Sequence, residues 1–124
     1  AQDGYLVGNH LLPVDYFISS KEKVRNMNGN VEFLIVTDNI EMGNKYFPDD
    51  KVVNNDMETD FRLIKSAKYK IISNSSFSWW AAWLGSTDSE LIIAPDRWMN
   101  YNYNRDNGNT FYPLDIKTKK FIYL

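Results

Sequence analysis

The chain contains no cysteine, which removes disulfides, thiolate nucleophiles and zinc–thiolate centres together. A reducing compartment is compatible with that composition. Histidine occurs once, as His10, just before a Leu-Leu pair, where a structural role is the simpler expectation. Charge of one sign is not in excess: 14 Lys and Arg face 16 Asp and Glu, for a net charge of −2. No basic surface therefore advertises nucleic acid or anionic lipid. No apolar run approaches the roughly 20 residues a membrane-spanning helix needs. Ala1-Gln2-Asp3-Gly4 lacks the basic start and apolar stretch of a signal peptide. An initiator Met is absent too, so the chain is expected to be a processed or excised piece of something longer.

What is present suits a single α/β domain over residues 1–124, large enough for a real core. Aromatic residues make up 15% of the chain, concentrated at Phe77 to Trp83 and Trp98 to Tyr112. Most aromatics in a small domain are core, and the same rings also stack on bases and sugars.

Pro13 suits a first helical turn, because its missing N–H would be unpaired there anyway. Val14, Phe17, Ile18 and Val24 then predict one apolar helix face. Val31 to Val36 is an apolar run too short for a helix and predicts a buried strand of a parallel sheet. Asn44 to Asn55 is polar and irregular, with a short strand at Val52-Val53. A helix follows from Met57 to Ala67, with Asn55 or Asp56 as N-cap and Met57, Phe61 and Ile64 on one face. Tyr69 to Ile72 predicts a strand, Ser73 to Ser76 a turn, and Phe77 to Leu84 a helix stopped by Gly85. Glu90 to Ala94 is a third strand ended by Pro95. Phe121 to Leu124 is a last strand or a terminal arm. Alternating helices and strands are the grammar of right-handed crossovers, hence a Rossmann-like parallel sheet with flanking helices.

In such sheets ligands bind outside the carboxyl ends of the strands. Thr37-Asp38-Asn39, Ser73 to Phe77 and Asp96-Arg97-Trp98 hold that position. Ser73 to Ser78 leads from a strand into a helix start, where free N–H groups and the helix dipole favour an anion. It has no glycine, so it is neither a P-loop nor a dinucleotide fingerprint. A serine N-cap with no ligand is the plainer alternative. Asp38 and Asn39 are candidates for a base or ribose, or form a plain turn. Asp60, in a first helical turn, is favoured by the dipole alone. Asp49-Asp50 supplies half of a metal site at most and fits a solvated loop. No G-x-S-x-G elbow accompanies the serines.

The run Ser73-Asn74-Ser75-Ser76-Phe77-Ser78-Trp79-Trp80-Ala81-Ala82-Trp83-Leu84 closely resembles the signature of glycosyltransferase family 11. This is the family of α-1,2-fucosyltransferases, with bacterial members that build lipopolysaccharide and other surface glycans. Leu12-Pro13 with Asp15-Tyr16-Phe17, Phe33 to Asn39, Asp60 to Ala67, and Ile92-Ile93-Ala94-Pro95 with Trp98 resemble further family stretches in the same order. The likeness covers about residues 5 to 100.

The resemblance implies half of a GT-B glycosyltransferase, whose carboxyl-terminal domain binds GDP-fucose for an inverting, metal-independent transfer. It implies that Asn74, Ser75, Ser76 and Phe77 meet the diphosphate. Asp38 and Asn39 would lie near the guanosine, and Asp60 at the guanine edge, whose N1–H and N2–H donors adenine lacks. Trp79, Trp80 and Trp83 would be core. It also implies a bacterial, cytoplasmic, membrane-associated enzyme whose glycan acceptor is held by a missing N-terminal domain. Two departures stand out. The family's His-x-Arg-Arg-Gly-Asp motif is absent, so this fragment alone is expected not to transfer fucose, and the general base is not identified. The family's second aspartate is Asn39 here. A competing expectation from another class is a non-catalytic carbohydrate- or nucleotide-binding module, with Trp98, Tyr101, Tyr103 and Tyr112 as an aromatic platform.

Overall fold

Helix starts and strand ends in this chain are set by local chemistry that the backbone visibly uses. The computed structural model describes residues 13–96 and 118–124. Helix α1 (Val14–Met27) begins directly after Pro13. Its buried residues are Tyr16, Ser20 and Val24, a one-turn spacing. The expected face is therefore rotated: Ile18 points outward and Phe17 lies at the margin. Strand β1 (Leu34–Val36) follows, shorter and less buried than Val31 to Val36 predicted, with Leu34 exposed.

Helix α2 (Ile40–Tyr46) was not predicted from the sequence. Asn39 caps it, accepting the Met42 N–H at 3.1 Å. Gly43 hides it, because glycine lowers helix propensity by roughly 1 kcal/mol. The glycine is needed for close packing: a Cβ there would lie 2.6 Å from Val52 Cγ1. Val52 belongs to β2 (Lys51–Val53), which pairs with β1 in parallel, Ile35 opposite Val52.

Helix α3 (Met57–Ser66) is capped by Asp56, which accepts the Thr59 N–H at 2.7 Å. Met57 lies off the buried face, 74% exposed. Strand β3 (Tyr69–Ile71) leads through Ser73-Asn74-Ser75 into α4 (Ser76–Leu84), and a 3-10 turn (Ser86–Asp88) leads on to β4 (Leu91–Ala94). Strand β5 (Ile122–Tyr123) completes the described elements, so Phe121 to Leu124 is a strand with short flanks. The second sheet has the order β3-β4-β5, all parallel. The chain is thus α/β, with parallel strands alternating with helices.

Two apolar clusters hold it together. On one face Tyr16 and Val24 of α1 pack on Leu91 and Ile93, flanked by Val31, Phe33, Tyr69 and Ile71. On the other, Trp79 and Ala82 of α4 pack on Ile72, Ile92, Ala94 and Phe121. Trp79 stacks on Trp83 at 6.3 Å and meets Phe121 edge-on at 5.9 Å. Trp80 departs from expectation: it is 53% exposed, because the buried side of α4 is set by Ser78, Trp79, Ala81 and Ala82. No described helix is long and apolar enough to cross a membrane.

Candidate functional site

The structure realises the strand–turn–helix junction at Ser73 to Ser78. Ser75 has extended backbone and caps α4, its hydroxyl accepting the Ser78 N–H at 3.4 Å and its carbonyl the Trp79 N–H at 2.9 Å. The plainer reading of this serine as an N-cap is therefore satisfied. It leaves room for a ligand, since the N–H groups of Ser76 and Phe77 have no intrahelical acceptor at a helix start. Ser75 itself is buried, Ser76 is exposed and Phe77 is half-buried. A small, exposed residue at the first helical position lets an anion approach those amides.

Phe77 links this junction to the next helix. Its ring meets Phe61 edge-on at 5.5 Å, and Phe61 follows Asp60 on α3. Asp60 is buried, in the first turn of α3. Its Oδ1 accepts the Asn55 backbone N–H at 3.3 Å and the Asn55 side-chain amide at 3.1 Å. An ionised carboxylate has acceptor capacity beyond those two bonds, so the second oxygen can still take donors. The starts of α3 and α4 are thereby brought together.

Asp38 and Asn39 sit at the end of β1. Asn39 is occupied as the cap of α2, and its own N–H donates to Thr37 Oγ1 at 3.0 Å. Asp38 is exposed. Both lie at the carboxyl end of a parallel strand, like Ser73 to Ser76. Of the third predicted segment only Asp96 is described. It is exposed, with its N–H donating to Leu124 O at 2.7 Å. Arg97, Trp98, Tyr101, Tyr103, Tyr112 and His10 lie outside the described residues.

Asp50 is drawn into an ion pair with Lys21, whose ammonium also lies over the Phe33 and Phe47 rings. Among the described residues no three His, Cys, Asp or Glu converge as metal ligands. Two carboxyls are held below their ordinary range. Asp56 is lowered by the Thr59 backbone N–H first and the Thr59 side chain second. Glu90 is lowered by the Tyr69 hydroxyl first and Lys68 second.

Sequence reasoning did not single out Ser73 alone. Its hydroxyl is buried and has no hydrogen-bond partner among the described residues. A buried orphan hydroxyl is rare and costs free energy until something pairs it. The available signal was its place, last in a strand and first in a serine-rich turn.

Comparison with known proteins identifies the family. The family described as "Glycosyl transferase family 11" matches residues 11–119. An Escherichia coli protein described as "Alpha-1,2-colitosyltransferase" is 38% identical over 110 residues, covering 82% of this chain and 37% of that protein. Another, "O-antigen biosynthesis glycosyltransferase WbnK" of Escherichia coli, is 28% identical over 99 residues, covering 74% of this chain and 33% of that protein. The chain thus spans about a third of the length of these curated relatives. No solved structure matches it.

Proposed function

The chain belongs to glycosyl transferase family 11, and on that premise we propose that it is the GDP-fucose-binding half of a GT-B α-1,2-fucosyltransferase. Transfer would be inverting and metal-independent, in the bacterial synthesis of a surface glycan or lipopolysaccharide. The observation that carries the reading is the start of α4. A buried serine caps it, the Ser76 and Phe77 N–H groups that follow the cap have no intrahelical acceptor, and the whole stands at the carboxyl end of a parallel strand. Backbone donors fixed in that way suit a diphosphate, which becomes the leaving group and gains charge as the glycosidic bond breaks.

In this reading Ser75, Ser76 and Phe77 hold the diphosphate, with Asn74 in the same turn. Asp60 offers its remaining oxygen to the N1–H and N2–H of guanine. Asp38 and Asn39 approach the guanosine from the end of β1. The glycan acceptor and the cation facing the leaving group come from polypeptide beyond these 124 residues. Calorimetry with GDP and with ADP tests the proposal. GDP is expected to bind at least about tenfold more tightly, since adenine offers no donors to the second Asp60 oxygen. Equal heats for both, or no heat for either from folded protein, would sink it.

The 38% identity to a protein described as a colitosyltransferase favours a second reading of the sugar alone. Colitose is fucose without its 3-hydroxyl. A pocket built to bond that hydroxyl rejects the deoxy sugar strongly, whereas an apolar one does not. Competition between the two GDP-sugars in transfer by the full-length protein separates these readings.

A further inference from the structure

Pro95 leaves a gap in the backbone ladder just before the turn into α4, and a side chain from α1 fills it. The Ile72 N–H donates to Ile93 O at 2.9 Å. In a parallel ladder the N–H and C=O of one residue bond to the two residues that flank its opposite number. With Ile71 opposite Ile93, the bond returned to Ile72 O would come from the nitrogen of residue 95. Strand geometry persists that far. On the other edge of β4 the Leu124 N–H donates to Ala94 O at 3.0 Å, and the Asp96 N–H to Leu124 O at 2.7 Å. Successive residues turn their backbone groups to opposite edges, so the nitrogen of residue 95 faces β3. It belongs to a proline, which has no N–H to give.

The Tyr16 hydroxyl takes that place. It stands 2.6 Å from Ile72 O and 3.1 Å from Ile93 O. A phenol has one proton, and the shorter contact is to the carbonyl that Pro95 leaves without a ladder donor. Tyr16, Ile72 and Pro95 are all buried. A buried carbonyl with no donor costs free energy, so the hydroxyl matters here more than it would at a surface. Tyr16 lies in the first turn of α1, and its ring is packed against Leu91 and Ile93, which fixes where the hydroxyl sits. Beyond Ile72, only Ser73 and Asn74 precede Ser75, the cap of α4. The carbonyl that Tyr16 holds therefore sets the direction in which the chain leaves β3 for that cap.

We propose that Tyr16 is a positioning residue for the start of α4. Bonded to Ile72 O in place of the N–H that Pro95 lacks, it fixes the turn at Ser73 to Ser75 and, with it, the Ser76 and Phe77 amides. Its effect on ligand binding rests on the reading of those amides as the diphosphate site. Tyr16 acts on that site through the backbone of β3 alone.

Two substitutions in the full-length protein test this. Tyr16→Phe deletes only the hydroxyl, and Pro95→Ala restores an N–H at the ladder position. GDP calorimetry compares the wild type, both single variants and the double variant, and labelled serine and phenylalanine amides are followed by NMR without ligand. Tyr16→Phe is expected to weaken GDP about three- to tenfold, the range of one neutral hydrogen bond. It should also move the amide signals of Ser75, Ser76 and Phe77. In the Pro95→Ala background the same change should cost less than about twofold and leave those signals nearly in place, because the new N–H serves Ile72 O. An equal loss in both backgrounds would overturn the proposal, since Tyr16 would then not act through that carbonyl. So would a lowered unfolding midpoint in Tyr16→Phe with GDP affinity and the three amides unchanged, which is a role in stability only. Absence of GDP binding by the wild type would sink the nucleotide reading separately, and the amide signals would still uphold or overturn the hold on the turn.

Discussion

Ser75 and Asp60 each have a structural duty that can be separated from a ligand duty by substitution. Ser75→Ala removes the cap of α4 and should cost about 1 kcal/mol in urea unfolding. Ser75→Asn restores a capping oxygen and should recover most of that stability. If the larger side chain blocks the anion, GDP binding stays low in both variants. Asp60→Asn keeps an acceptor for Asn55 but loses the charge. GDP affinity should fall roughly ten- to a hundredfold by calorimetry, the range for one charged hydrogen bond, while ADP binding is unchanged. Asp56 supplies a pH dependence. Its carboxyl is held low chiefly by the Thr59 N–H, so the folded state binds its proton later than the unfolded chain does. Its stabilisation is complete above the ordinary carboxylate pKa and is lost as pH falls through the lower, folded value. Unfolding followed by circular dichroism from neutral to acid pH should show this loss, with a shallower slope in Asp56→Asn, where the cap no longer titrates.

At the scale of elements, packing at one glycine fixes how α4 meets α3. Gly85 ends α4, and its N–H donates to Ala81 O at 3.1 Å. A Cβ there would stand 2.0 Å from the backbone oxygen of Lys65, near the end of α3. Backbone cannot swing aside as a side chain can. Gly85→Ala should therefore destabilise by about 1–3 kcal/mol, as overpacking does. Gly29→Ala, with open space around its added carbon, should change little. The denaturation midpoint measures both. The same contrast explains what could be read from the sequence. Helices α3 and α4 announce themselves through Asp56, Ser75 and Gly85, because caps and stops are local chemistry. Helix α2 did not, because Gly43 answers to Val52 across the fold and opposes the local propensity. Val31 to Val36 looked like a wholly buried strand, and its composition is that of one. The strand that forms is only Leu34–Val36, with Leu34 exposed. The turn at Ser73 to Ser76 was legible as a site because strand, small polar residues and helix follow in order. The Asn55 bonds to Asp60 and the orphan hydroxyl of Ser73 were not, since both depend on tertiary placement.

For the whole molecule, binding the donor and transferring its sugar are different demands. Holding GDP needs the amides at the start of α4 and a guanine acceptor, and both functions are proposed for residues within this chain. Transfer also needs charge facing the departing diphosphate, and an acceptor hydroxyl held against the anomeric carbon. Only interactions that strengthen in the transition state raise the rate, and a fixed donor aimed at developing charge is worth roughly a hundred- to a thousandfold. These 124 residues contain no His-x-Arg-Arg-Gly-Asp, and they cover about a third of the relatives' length. The purified chain should accordingly bind GDP yet transfer fucose to a galactoside at less than about a thousandth of the full-length rate. A radiolabelled-fucose assay on both proteins, at matched donor saturation, measures it. Comparable transfer by the short chain would mean that its own residues stabilise the leaving group and seat the acceptor. Loss of both binding and transfer would instead assign donor binding to polypeptide outside it.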